Sequence, residues 1–158
     1  MAVVFFMASA AVALAAPRAG VLHVSATVST NCIIRSPVGL NFGTYKEFNQ
    51  DGHALKGKGK VLSIACTKGS TGVRIALDDG RHFSHNHRHM LGPKRHDKVV
   101  YEIYTTAKRN VVWNKINTVS YVPVNDQPAA ITMYGRVPGK QKPPPGEYSD
   151  TLVASVDF

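Results

Sequence analysis

Four histidines crowd the short stretch RHFSHNHRHM at residues 81–90: His82, His85, His87 and His89. His85, His87 and His89 are spaced two apart, and on an extended strand alternate side chains project from one face. Imidazoles so placed can hold zinc, copper or nickel, with His96 as a returning ligand. No carboxylate or cysteine accompanies them, so no metal is expected, and the ordinary reading is a solvated loop that gains positive charge below about pH 6.5. Ser84 and His85 are neighbours, which on a strand point in opposite directions, and no carboxylate stands ready to orient the histidine as a nucleophile's base would need. Asp78 and Asp79 precede Gly80 and read as a strand-ending turn rather than as a pair of catalytic acids. With no phosphate-binding glycine loop either, neither an enzyme nor a cofactor is expected.

Cys32 and Cys66 are the only cysteines. Residues 1–16, MAVVFFMASAAVALAA, are apolar and small, end near an Ala13-Leu14-Ala15 cleavage pattern and are too short to span a bilayer, so they read as a secretory signal peptide. No Lys or Arg precedes that run. Export to an oxidising compartment makes one disulfide the natural use of two cysteines, stabilising the fold by roughly 4 kcal/mol in the chain-entropy treatment.

The chain has 158 residues, 44% apolar and 18% charged, a composition that suits one folded domain. Its 19 Lys and Arg outweigh 10 Asp and Glu, for a net charge of +9. The basic clusters are Lys56-Gly57-Lys58-Gly59-Lys60, Arg81 to Arg95 and Lys140 to Lys142. They can form a polyanion-binding face or simply keep loops solvated. Specific nucleic-acid binding is not expected, because no helix-turn-helix, zinc finger or aromatic-basic RNA motif is present.

The elements that position these residues are strands. Apolar and polar residues alternate in 21–28, 59–67, 72–78, 98–106, 111–113, 129–137 and the terminal 146–158. Gly and Pro punctuate the intervals, as at Asp79-Gly80, Gly92-Pro93 and Pro143-Pro144-Pro145-Gly146. Short strands, one disulfide and no helical periodicity argue an all-β, antiparallel sandwich of the immunoglobulin type, with a closed barrel as the alternative. Trp113, Tyr101, Tyr104, Tyr134 and Tyr148 offer material for a sugar-binding platform, although aromatic residues in strands more often pack.

The segments ATVSTNC (26–32), LNFGTY (40–45), LSIACT (62–67), VRIALDDG (73–80), Arg88-His89-Met90, YEIYT (101–105) with Trp113, and ITMYGRVPGKQKPPPGEYSDTLVASVDF (131–158) follow one another in order. Together they resemble the spore coat protein U domain, the family that includes secreted pilins of archaic, Csu-type chaperone-usher systems. The resemblance implies an incomplete immunoglobulin-like β-sandwich lacking its last strand. Its apolar groove is filled in trans, first by a periplasmic chaperone and then by the amino-terminal extension of a neighbouring pilin subunit at an outer-membrane usher. It therefore implies a structural subunit of a secreted surface pilus, exported through the periplasm and serving cell adhesion and biofilm formation. On that pattern residues 17–31 form the donor-strand extension and 32–158 the domain. Leu22, Val24, Ala26 and Val28 are the donor side chains, while Leu152, Ala154, Val156 and Phe158 line or border the acceptor groove. Burying four such donors is worth roughly 6 to 10 kcal/mol. Alternation alone leaves open that 21–31 pairs within its own domain as a first strand. Two other functions stay available: a spore or cyst coat protein, and a secreted module whose basic, His-rich loop binds a polyanion or metal.

Overall fold

Alternating residues build two antiparallel sheets in the computed structural model, which describes residues 23–35, 39–45 and 55–158. The strands are β1 (Cys32–Arg35), β2 (Leu55–Cys66), β3 (Arg74–Leu77), β4 (Arg88–Leu91), β5 (Lys98–Tyr104), β6 (Val119–Ser120), β7 (Ala129–Val137) and β8 (Ala154–Asp157). The larger sheet runs β1-β2-β7-β5-β4 and the smaller β6-β3-β8. The protein is an all-β, immunoglobulin-like sandwich, with no helix among the described residues, and a disulfide joins Cys32 to Cys66.

The inward rows make the core: Leu62 and Ile64 from β2, Ile75 and Leu77 from β3, Ile103 from β5, Met133 and Val137 from β7. Trp113 ties the two sheets together. Its backbone N–H donates to the Ile103 carbonyl at 2.8 Å and its indole Nε1 to the Ile75 carbonyl at 2.8 Å, so the largest buried side chain leaves no orphaned donor.

The long strand β2 carries a bulge. Opposite β7, Leu55, Gly57 and Gly59 face Val137, Gly135 and Met133; past a register shift between Lys60 and Leu62, Leu62 and Ile64 face Ile131 and Ala129. One extra residue changes the pairing parity along the strand, and past it Leu62 and Ile64 turn to the core.

Arg88 is 1% exposed at the start of β4. Its Nη1 pairs with Glu102 Oε2 at 3.2 Å, its Nε donates to the Asp78 carbonyl at 3.1 Å, and its Nη2 reaches the carbonyls of Asp78 and Trp113. Glu102 Oε1 also accepts the Arg88 backbone N–H at 3.3 Å. A buried guanidinium this fully engaged locks β4, β5, the end of β3 and the Trp113 segment into one arrangement.

Several expectations change. Residues 111–113 contribute one bridge, Tyr104 to Val112, rather than a strand, and β1, β4 and β6 arise where no strand is expected from alternation. Residues 23–31 form no strand. The extended histidine ladder does not exist: His85 (φ 51°) and Asn86 (φ 61°) adopt left-handed backbone and close a two-residue turn. Ser84 and His87 exchange both backbone hydrogen bonds across it at 3.0 Å, the geometry of a tight hairpin. His85 sits at the tip, apart from the row that was to present it beside His87 and His89.

Candidate functional site

An apolar groove of about 410 Å³ opens between the sheets. Leu62, Ile103 and Met133 form one wall and Leu77 the other; Leu40 and Phe42 border one side, Leu152 and Ala154 the opposite side. Its two rims are held by different means.

The first rim is segment 39–45, which makes no ladder but packs by side chain. Leu40 and Phe42 lie against Gly135, where a Cβ would collide with both. The missing side chain at Gly135 therefore leaves the space the rim enters. Phe42 meets Tyr101 edge-on at 5.9 Å between ring centres, and the Tyr45 hydroxyl accepts the Gln141 N–H at 2.9 Å.

The second rim, 149–157, is bonded along one side. Ser149 exchanges backbone bonds with Leu91, the Thr151 carbonyl accepts from Arg81, and Val153 is clipped to Asp78 by both its N–H and its carbonyl. β8 then pairs β3, from Leu77 with Ala154 to Arg74 with Asp157. Asp150 anchors this rim from inside, accepting the Tyr101 hydroxyl at 2.7 Å and bonding His82 Nδ1 at 2.8 Å. The other edge of β8 has no ladder partner among the described residues, although β1, also an edge, runs close by. An unpaired strand edge beside an apolar opening is what proteins ordinarily cover.

Burial, then the hydrogen bond to Asp150 and its negative charge, hold the Tyr101 phenol well above its ordinary value near 10. The folded chain keeps that proton where the unfolded chain has released it. Stability from this group is therefore full below about pH 10 and falls as pH rises, by up to about 1.4 kcal/mol per pH unit. Tyr101→Phe removes the titrating proton, so its urea midpoint should drop less than the parent's between about pH 9 and 11. Parallel drops in the two proteins contradict this account.

Of the residues singled out from sequence, Leu152 and Ala154 line the groove, and Val156 is half-buried against the core. Phe158 follows β8 and is 54% exposed. Val24 and Val28 are 87% and 83% exposed, Ala26 is exposed, and Leu22 lies outside the described residues, as do 1–16 and 17–21. Hydrogen bonds from residues 23–31 to the domain come from Asn31, which pairs with Thr67. His82 is taken by Asp150, His89 Nδ1 lies 3.0 Å from the His87 carbonyl, and His87 Nδ1 lies 3.5 Å from Glu102. No group of three metal-ligating side chains forms among the described residues. Trp113 and Tyr101 are core residues rather than a sugar platform. Sequence reasoning missed the rim-holding roles of Leu40, Phe42, Asp78 and Asp150. The i, i+2 spacing of Leu40 and Phe42 was the available signal for the first rim; nothing local marks an aspartate as an internal anchor.

The model of the Spore Coat Protein U domain family matches residues 19–155. Protein U of Myxococcus xanthus is 33% identical over 150 residues, covering 87% of this chain and 83% of its own. Among solved structures, the chaperone and tip adhesion subunit pre-assembly complex from the archaic chaperone-usher Csu pili of Acinetobacter baumannii contains a similar fold. It superposes with a TM-score of 0.54 at 24% identity, over 84% of this chain and 40% of that one.

Proposed function

Because this chain belongs to the Spore Coat Protein U domain family, we propose that it is a structural subunit of a surface pilus assembled by donor-strand exchange. The observation that carries the reading is the apolar groove between rims 39–45 and 149–157, with the free edge of β8 beside it. The exposed, alternating Val24, Ala26 and Val28 are the segment that would be inserted as the partner strand of a neighbouring groove. An extended peptide laid along β8 would complete its backbone bonds and drop alternate side chains into the opening. The domain division at 17–31 and 32–158 and the donor and groove assignments belong to this proposal.

In this reading a periplasmic chaperone occupies the groove first, an outer-membrane usher mediates exchange, and the extension of a neighbouring subunit replaces the chaperone. The similar Csu complex joins a chaperone to a pilus subunit. A signal peptide at 1–16, passage through the periplasm, a non-catalytic role, adhesion and biofilm formation complete the proposal. The family's description supports a second reading, a coat structural protein using the same strand exchange. Gene neighbourhood separates them, since a pilus subunit requires an adjacent chaperone and usher.

The test is co-expression with the cognate chaperone, comparing the parent with Val24→Arg. A guanidinium in an apolar groove should abolish subunit chains while leaving chaperone capture intact. Polymers of undiminished length in Val24→Arg would reject the donor assignment, and failure of the parent to bind a chaperone would reject the pilus reading.

A further inference from the structure

Several strands reach the end of the sandwich that carries the disulfide. Ser120 and Asp157 lie opposite Arg74 from either side of β3, and Cys32 lies opposite Cys66, which leads into the 67–72 turn back to β3. Segment 121–126 continues from β6 toward that turn and is bonded to it along its length. The Tyr121 N–H donates to the Val73 carbonyl at 3.0 Å, the Gly69 N–H to the Pro123 carbonyl at 3.3 Å, and the Lys68 N–H to Asp126 Oδ1 at 2.6 Å. Pro123 is buried, while its neighbours Val122 and Val124 are each 75% exposed. Lone apolar side chains at a surface are ordinary, but two held outward by a fastened loop form a patch that a contact would cover. Phe158, next after β8 and 54% exposed, belongs to the same end.

The amino-terminal segment leaves the domain beside this patch. Asn31 donates its N–H to Thr67 Oγ1 at 3.1 Å, and its carbonyl accepts the Thr67 N–H at 2.9 Å, so Asn31 is fixed to the turn that also holds Pro123 and Asp126. Ser29 and Thr30 alone separate it from Val28, a tether that spans at most about 11 Å. We infer that Val122 and Val124 form a second contact between consecutive subunits, covered by the copy of this chain whose groove takes residues 22–28. The inference rests on the strand-exchange reading, which fixes where that neighbour stands: so short a tether brings its groove up against this end. A linker alone lets consecutive domains swing, whereas an apolar contact beside it adds a second point and sets their relative orientation. Ile116, 88% exposed in the turn held by Asn114 on the other side of β6, lies away from the exit and stays uncovered.

The experiment uses polymers grown from chaperone complexes of the full chain, with Val124→Cys or Ile116→Cys introduced singly and alkylated by a maleimide before and after assembly. Loss of access should slow alkylation of the Val124→Cys thiol about tenfold or more in the polymer relative to the chaperone-bound subunit, with Ile116→Cys changing less than about twofold. The double variant Val122→Ser with Val124→Ser adds no thiol to a disulfide-bonded chain. Its polymers should form but bend more, with a persistence length in electron micrographs lowered about twofold or more. Polymers in which Val124→Cys reacts as fast as Ile116→Cys, or a double variant as stiff as the parent, overturn the contact and leave strand exchange standing. Protection of Val124→Cys already in the chaperone-bound subunit assigns the patch to the chaperone and overturns the contact likewise. Absence of polymers from the parent overturns the strand-exchange reading and the contact together.

Discussion

Arg88→Met is expected to cost about 3–5 kcal/mol, a large share of the 5–15 kcal/mol that holds an ordinary domain folded. The loss comes less from the missing attraction than from what is left behind. Glu102 would remain in the interior as an unpaired carboxylate, and the carbonyls of Asp78 and Trp113 would lose buried donors. Urea denaturation reads the effect as a lower midpoint. The double variant Arg88→Met with Glu102→Leu should recover much of it, since an apolar pair of similar volume avoids the stranded charge. A single variant within about 1 kcal/mol of the parent would show that the pair is not the fastening described. The consequence reaches the groove, because the carbonyl that Arg88 holds belongs to Asp78, whose backbone and carboxylate clip Val153 on the second rim.

Replacing Cys32 and Cys66 by serine should remove about 4 kcal/mol, the loop entropy expected for a separation of 34 residues. The loss will be uneven. β1 has four residues and pairs with β2 alone, whereas β2 and β7 share the longest ladder of the larger sheet. Hydrogen exchange should therefore show the β1 amides losing protection while the β7 amides keep most of theirs. If β1 stays as protected as β7, the disulfide is not what holds that edge in place.

How much of this was legible beforehand follows from the kind of signal each part carries. The alternation of Ala129 to Val137 survives as β7 without adjustment, because a half-buried strand writes its pairing into every second residue. The disulfide was legible because two cysteines in a chain that reads as exported have one ready use. The histidine segment reads first as a loop, and His85 and Asn86 adopt the left-handed conformation of a turn rather than the extended backbone that the alternative, a row of ligands, requires. β4 was hidden for a related reason: its first residue is a buried arginine, which no hydropathy pattern assigns to a core. Of the groove, Leu152 and Ala154 were visible by alternation. The opposite rim was not, since Leu40 and Phe42 are positioned by the absence of a side chain at Gly135, a contact far away in sequence.

Gly135 sits in β7 beneath the first rim, where a Cβ would meet Leu40 and Phe42. A position with no side chain cannot be enlarged without lifting what rests on it, so this one residue sets the gauge of the opening much as a shim sets a gap.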